Sequence, residues 1–258
     1  MTTSSTVNAQ RSWELAARAG YAVSGVLHVL IGVLALRVAF GSGGEQADQS
    51  GALSAIAATP FGAAILWFSV VAFVALGAWQ VARAFHSRET GDRAKSAGRA
   101  VVYIALAFAA LSFARGGGSA ASTQTADLTA TLMSAPGGRV LVAAVGLGII
   151  AVGVYHVYKG WKKKFLQDLN RLPSGTAGSV VLRLGVLGYV AKGVALGIVG
   201  ALFVQAAVTS DPSSSTGLDG ALHTLRDQPA GVLLLVIVAA GFVAFGAYSF
   251  VRARYGRI

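Results

Sequence analysis

The sequence contains no cysteine among its 258 residues, and it is poor in charge. The missing cysteine excludes disulfides, thiolate metal sites and cysteine nucleophiles. Charged residues make up 12% of the chain, whereas a typical soluble domain has roughly 25%. Only 10 residues are acidic against 21 that are basic, which gives a net charge of +11. A net charge of this size is typical both of nucleic-acid-binding proteins and of membrane proteins with basic cytoplasmic segments, and the placement of the charges distinguishes the two classes.

Hydrophobic residues account for 55% of the chain and form long runs. About 20 apolar residues in a helix cross a hydrocarbon core about 30 Å thick. The runs predict an all-α polytopic membrane protein with six transmembrane helices, at residues 19–40, 61–82, 97–114, 139–158, 184–208 and 230–251. The polar N-terminus lacks the apolar segment of a signal peptide, so we expect the first span to remain in the mature protein.

The basic residues lie beside alternate ends of these spans. Of the 21 Lys and Arg residues, 16 lie in the N-terminal tail, in the loops after the second and fourth spans, and in the C-terminal tail. The other three loops carry only three bases and most of the acids. The positive-inside rule then predicts that both termini are cytoplasmic. Because the cations form no single patch and no binding motif is present, we expect no nucleic-acid partner. Anionic lipid headgroups are the expected partner of the basic side.

One motif occurs three times, once in the second helix of each pair. It reads P-x-G, fourteen residues, G-x-[W/Y], three residues and a base, and it starts at Pro60, Pro136 and Pro229. We expect each proline in the first turn of its helix, where a missing N–H costs nothing. The segment before each proline has the spacing of a short amphipathic helix on the outer surface. The glycines allow helix backbones to approach closely in lipid.

The three copies define the domain organisation. A polar cytoplasmic tail at 1–16 precedes two-helix repeats at 17–88, 95–166 and 182–258, and the last repeat includes a basic tail. Because each repeat holds an even number of spans, all three insert in the same direction. Parallel repeats of this kind are related by an axis along the membrane normal. The sequence therefore predicts pseudo-threefold symmetry, and it leaves open whether a cavity follows the axis.

Several short segments are similar to those of a known family. They are Gly20-Tyr21 and Gly188-Tyr189, the Gly-Ala-Leu segments before Pro60 and Pro229, Leu-Thr-Ala at 128–130, Gly160-Trp161 with Phe165, and the ending Ala253-Arg254-Tyr255. They resemble the bacterial membrane family named domain of unknown function 1206, which is typified by three repeats of a two-helix unit. The resemblance implies a bacterial plasma membrane protein but no activity, substrate or catalytic residue. The middle repeat departs from the pattern, because Gly98 lacks the preceding Gly-Tyr.

Two ionisable residues lie well inside the predicted spans, Lys192 in the fifth and His28 in the first. Ionisable residues inside a bilayer are costly and are functional candidates by default. Lys192 either extends its amine to the cytoplasmic surface or contacts an anion or a lipid headgroup inside the bundle. His28 either hydrogen-bonds a neighbouring helix or serves a haem, a metal or a proton relay. We expect no metal site and no cofactor, since no residues have metal-ligand spacing.

An aromatic residue and a base lie four residues apart near the cytoplasmic end of each second helix. The pairs are Trp79 with Arg83, Tyr155 with Lys159, and Tyr248 with Arg252. Residues four apart share a helix face. The trio is either an aromatic belt with positive-inside charge or a three-sided site for anionic lipid or phosphate. The run at 161–165, WKKKF, is typical of a juxtamembrane anchor to anionic lipid.

Two functions fit these features. No nucleophile–base pair or metal cluster is recognisable, so we expect no enzyme activity. No Asp or Glu falls inside a span, which argues against a proton-coupled carrier. The first function is a non-enzymatic subunit, scaffold or lipid-organising protein, with other membrane proteins as partners. The second is a passive channel or carrier for a small solute or anion along the pseudo-threefold axis. Polar residues around a wet cavity would favour the second function, and an apolar interior would favour the first.

Overall fold

The computed structural model describes residues 3–41, 46–87, 89–118 and 120–257. Side chains are described from Arg18 onward, except that of Lys95. Arg88 and the side chains of Arg11 and Lys95, which the sequence assigns to the basic side, therefore lie outside the described part. The predicted polar tail at 1–16 is described only as helix backbone that begins at Thr3.

Most of the described chain is helical, as the apolar runs predict. The described residues form nine α-helices: α1 Thr3–Ala39, α2 Gln49–Ala57, α3 Gly62–His86, α4 Thr90–Ala114, α5 Ala121–Ser134, α6 Gly138–Trp161, α7 Thr176–Thr209, α8 Gly217–Arg226 and α9 Gly231–Tyr255. Short 3₁₀ helices cover Lys164–Asp168 and Pro212–Ser214. Six helices, α1, α3, α4, α6, α7 and α9, are long and apolar enough to cross a membrane. The predicted all-α fold with six membrane-spanning helices is confirmed.

Several helices continue beyond the apolar runs. α4 begins at Thr90 and α7 at Thr176, whereas the predicted spans begin at 97 and 184. Backbone hydrogen bonds do not require apolar side chains, so a helix extends past the hydrocarbon boundary until a stop signal ends it. With 34 residues, α7 is about 51 Å long and exceeds a hydrocarbon core about 30 Å thick. Part of α7 therefore lies outside the hydrocarbon core.

The described chain divides into two compact units. The larger unit contains the described residues of Met1–Gln49 and Ala121–Ile258, and the smaller unit contains Ser50–Ala120. In the smaller unit α3 packs against α4. In the larger unit α7 packs against both α6 and α9, and α9 also packs against α1. Each second helix thus contacts the first helix of the following repeat, and the last helix contacts the first helix of the chain. The pseudo-threefold symmetry remains a prediction.

A short helix precedes each second membrane helix, as the sequence predicts: α2 before α3, α5 before α6 and α8 before α9. The expected position of the prolines is wrong, because Pro136 and Pro229 each lie one residue before the N-cap. They sit in tight turns in which the N–H of Gly138 donates to the carbonyl of Ala135 (2.9 Å), and the N–H of Gly231 donates to that of Gln228 (2.7 Å). Proline is favoured in such turns because its fixed φ suits the second position.

Glycines seven residues apart line the contact between α6 and α7. A seven-residue interval returns to nearly the same helix face. A methyl group added to Gly146 would lie 2.8 Å from the carbonyl oxygen of Gly200. A methyl group added to Gly153 would lie 2.7 Å from the carbonyl oxygen of Gly193. The two backbones therefore touch along this face, and the opposite order of the paired residues shows that the helices are antiparallel.

The contact of α1 with α9 repeats this pattern. A methyl group added to Gly246 would lie 2.7 Å from the carbonyl oxygen of Gly25, and one added to Gly32 would lie 2.8 Å from that of Ala239. These helices are also antiparallel. In the smaller unit, a methyl group added to Gly77 would instead lie 3.2 Å from the side chain of Ile104. A side chain yields more readily than a backbone, so the α3–α4 contact should tolerate a methyl group better.

Two glycines of α6 provide a matched test of the backbone contact. We expect Gly146→Ala to destabilise the protein by about 1–3 kcal/mol, because the added methyl forces the helices apart. Gly148→Ala should cost nothing, because a methyl group there meets no atom within 4 Å. Thermal unfolding of the purified variants in detergent measures the difference. Equal loss of stability in both variants would contradict the assignment of the contact.

Candidate functional site

The basic residues of the larger unit gather at one end of its helices. Because α6 and α9 run antiparallel to α7, and α9 runs antiparallel to α1, the starts of α1 and α7 lie on the same side as the ends of α6 and α9. We call this the basic end. Its exposed cations are Lys162, Lys163, Lys164, Arg171, Arg183, Arg254 and Arg257. The basic end thus combines charges from three segments that are distant in sequence.

Asp168, the last residue of the 3₁₀ helix in the segment between α6 and α7, is the centre of a polar cluster at this end. The Lys159 amine donates to Asp168 Oδ2 over 2.7 Å. The Tyr189 hydroxyl donates to the same oxygen over 3.3 Å. Arg252 Nη1 lies 3.5 Å from it. One carboxylate therefore faces two cations and a phenol, which come from α6, α7 and α9.

Aromatic rings pack beneath this polar cluster. Tyr248 is fully buried, and its hydroxyl donates to the carbonyl oxygen of Phe165 over 2.8 Å. The ring of Phe165 stacks on that of Tyr189 with a centroid distance of 5.5 Å. Phe165 fits there only because residue 185 is glycine, since a methyl group on Gly185 would overlap the Phe165 ring at 2.2 Å. The loop that carries Asp168 is therefore anchored by a buried ring.

The same loop holds the end of the chain. Leu169 and Gly256 form an isolated antiparallel β-bridge, and the N–H of Asn170 donates to the carbonyl oxygen of Tyr255 over 2.8 Å. From the first repeat, Arg18 donates to the carbonyl oxygen of Arg254 over 2.9 Å. The basic end therefore joins helices of all three repeats: α1 of the first repeat, α6 of the second, and α7 and α9 of the third.

Lys192 and His28 meet further along the helices. His28 Nδ1 lies 2.7 Å from the carbonyl oxygen of Ser24, which can only accept, so we assign the ring proton to Nδ1. His28 Nε2 then has a free lone pair, and it accepts from the Lys192 amine over 3.1 Å. The amine also lies 4.4 Å from the ring centroid of Phe245. Lys192 thus links α7 to α1 across the aromatic surface of α9.

The repeated two-helix unit also occurs in known proteins. The sequence profile of one family matches the chain three times, at residues 19–87, 94–163 and 187–256. The chain belongs to the DUF1206 family, described as a Domain of Unknown Function. It is also 29% identical over 247 residues to a protein of Bacillus subtilis (strain 168) named Uncharacterized protein YxxB, with 92% of this chain and 89% of that protein covered. No solved structure matches the chain.

The membership in DUF1206 confirms the tandem two-helix repeats, and the bacterial relative fits the expected origin. The repeats do not place the predicted trio of pairs alike. Lys159 and Arg252 converge on Asp168, but Tyr155 is 55% exposed and lies outside that cluster. In the smaller unit the Arg83 guanidinium lies 5.3 Å from the ring centroid of Trp79, so this pair forms a contact within α3. A three-sided site for lipid or phosphate remains a prediction.

The sequence predicts no site role for four residues of the cluster, Asp168, Tyr189, Phe165 and Tyr21, although the last three belong to the segments that resemble DUF1206. Arg252 lies over Tyr21, with its guanidinium 4.4 Å from the ring centroid. The sequence does contain one indication of the role of Asp168. It is the only acidic residue between 159 and 183, a segment that contains six basic residues. A lone acid in a basic loop indicates an internal ion pair. Within the described ranges, no three His, Asp or Glu side chains form a group that could hold a metal ion.

The Lys192–His28 contact predicts an asymmetric response to mutation. His28→Leu leaves the Lys192 ammonium without its acceptor and should destabilise the protein by about 3 kcal/mol. Lys192→Met removes the charge from apolar surroundings and should cost less than about 1 kcal/mol. The double variant should recover most of the stability lost in His28→Leu. Unfolding midpoints in detergent measure all three variants, and an equal cost for the two single variants would refute the contact.

Proposed function

We propose that this protein is a non-enzymatic component of the bacterial plasma membrane that binds anionic lipid at its basic end. In this function it organises lipid or serves as a subunit or scaffold for other membrane proteins. The absence of enzyme activity rests on the sequence, which carries no recognisable nucleophile–base pair. The observation that carries the lipid-binding function is the separation of the cations at the basic end into two groups, one that faces Asp168 and one that is exposed.

The exposed group suits a lipid surface. In the described part of the larger unit, salt bridges at the basic end involve only Lys159 and Arg252, both with Asp168. Lys162 and Arg183 are exposed and have no carboxylate partner among the described residues. Trp161, which precedes Lys162 in the chain, is 73% exposed. A tryptophan next to uncompensated cations is typical of the headgroup region, where each cation near an anionic surface contributes about 1 kcal/mol.

The charge distribution also supports an orientation. We propose that the basic end faces the cytoplasm, which places both termini there, because cytoplasmic segments of membrane proteins carry the excess of Lys and Arg. The opposite end of the larger unit carries most of the acids and few bases. There Asp219 accepts from the N–H of Ala47 over 2.8 Å, and Asp211 accepts from Ser213 at the start of a 3₁₀ turn.

The alternative function is a passive channel or carrier. The observation in favour of transport is the contact of Lys192 with His28 inside the membrane spans. Ser24, His28 and Lys192 do come together, as that function requires. They contact one another and the ring of Phe245, however: the Ser24 carbonyl accepts from His28, and His28 accepts from the Lys192 amine. A groove of about 600 Å³ in the larger unit lies at the opposite end, beside Phe40 and the start of α9. The packing of these residues therefore supports the lipid-binding function better than transport.

Vesicle flotation of the purified protein tests the proposal. We expect the protein in detergent to transfer to vesicles with phosphatidylglycerol more than to phosphatidylcholine vesicles, with a preference that falls as salt rises. Lys162→Gln with Arg183→Gln should reduce the preference severalfold, whereas the charge-conserving pair Lys162→Arg with Arg183→Lys should retain it. Equal transfer to both vesicles would overturn lipid binding. Solute flux through the reconstituted protein that is lost in Lys192→Met would establish the alternative.

A further inference from the structure

Three donors at the basic end converge on one oxygen atom. Lys159 Nζ, Tyr189 Oη and Arg252 Nη1 lie 2.7, 3.3 and 3.5 Å from Asp168 Oδ2. They belong to α6, α7 and α9, which are held together by tight backbone contacts. Asp168 itself belongs to the connecting loop. The three donors are therefore fixed by helix packing, and the carboxylate is the one group of the four that does not lie on a membrane helix.

The single carboxylate does not satisfy this donor set. Two cations face one negative charge, so the cluster retains a net charge of about +1. The Nε atom of Arg252 is buried and has no hydrogen-bond partner. A buried N–H that is left without an acceptor is costly. A phosphate group carries about −1.5 to −2 charges and three acceptor oxygens, so it would neutralise both cations and offer further acceptors.

We propose that Lys159, Tyr189 and Arg252 form a receptor for a phosphate monoester, and that Asp168 occupies it as an internal substitute until such a ligand binds. Lysine and arginine together with a phenol are groups that recognise phosphate, and arginine does so through more than one N–H. This inference rests on the proposed lipid function and names the lipid chemistry, a headgroup that ends in phosphate. Phosphatidic acid is the simplest lipid of that kind.

The position of the cluster fits a ligand that arrives from the membrane surface. The side chains of Lys159, Asp168 and Arg252 are 15%, 20% and 24% exposed, so the cluster is reachable from outside. The exposed Trp161 and Lys162 follow Lys159 within the next turn and lie where a headgroup would approach. The carboxylate of Asp168 competes with the incoming phosphate for the same donors. Removal of its charge should therefore increase the affinity for phosphate.

The test compares binding of dioctanoyl phosphatidic acid and of inorganic phosphate to the full-length protein in detergent, measured by calorimetry. We expect Asp168→Asn to bind phosphatidic acid roughly tenfold more tightly than the unaltered protein, which equals the loss of one competing charge-assisted hydrogen bond. Asp227→Asn is the matched control, because it removes an exposed acid at the opposite end. The affinity of this variant for phosphatidic acid should equal that of the unaltered protein. Addition of Lys159→Gln to Asp168→Asn should abolish the gain.

The outcomes separate the inference from the proposed function. A gain in Asp168→Asn for phosphatidic acid supports the receptor, and a gain for inorganic phosphate alone assigns the receptor to a soluble phosphate and overturns the lipid ligand. If Asp168→Asn and Asp227→Asn behave alike while anionic vesicles are still preferred, Asp168 is structural and only the receptor fails. If Asp168→Asn unfolds, the comparison of Lys159→Gln with Lys162→Gln tests the receptor instead. Lys159→Gln should weaken phosphatidic acid binding more than Lys162→Gln does, and an equal loss in the two variants would overturn the receptor.

Discussion

Helices in lipid gain nothing from the hydrophobic effect when they associate, because lipid tails are as apolar as their side chains. Their association depends instead on close van der Waals contact, and in the larger unit this contact is made between backbones. At Gly146 and Gly153 in α6, as at Gly25 and Gly246 in α1 and α9, a single methyl group would collide with a facing carbonyl. The remaining features of the larger unit depend on this constraint, since it fixes which helices are neighbours.

The helix pairs that form through these backbone contacts bring together segments that are distant in the sequence. Because α6 packs on α7 and α9 packs on α1, residues 159, 189, 252 and 21 meet at one end although they come from three repeats. The same arrangement brings Lys192 within 3.1 Å of His28. Polar contacts between these helices then add specificity that the glycines lack, since an ion pair or a hydrogen bond is satisfied in one arrangement only. The basic end is thus a product of helix pairing rather than of any single loop.

The sequence was sufficient to predict the elements, because apolar length and the triplicate P-x-G motif are local properties. The helices that start at Thr90 and Thr176 begin before the predicted spans, since polar residues continue a helix as readily as apolar ones. The Asp168 cluster is not predicted from the sequence, because its members are up to 231 residues apart, from Tyr21 to Arg252, and only packing joins them. The motif alone predicts the prolines in the first helical turn, because it does not reveal the tight turn that precedes each helix.

Cross-linking between α1 and α9 tests the central packing claim most directly, and the chain is suited to it because it has no native cysteine. Val29 and Val243 both lie against glycines of the facing helix. A short thiol cross-linker should therefore join Val29→Cys to Val243→Cys in native membranes and should not join Val29→Cys to Ile237→Cys, which faces away on an exposed surface. Absence of the first cross-link, or equal yield from both pairs, would contradict the backbone contact between the last helix and the first.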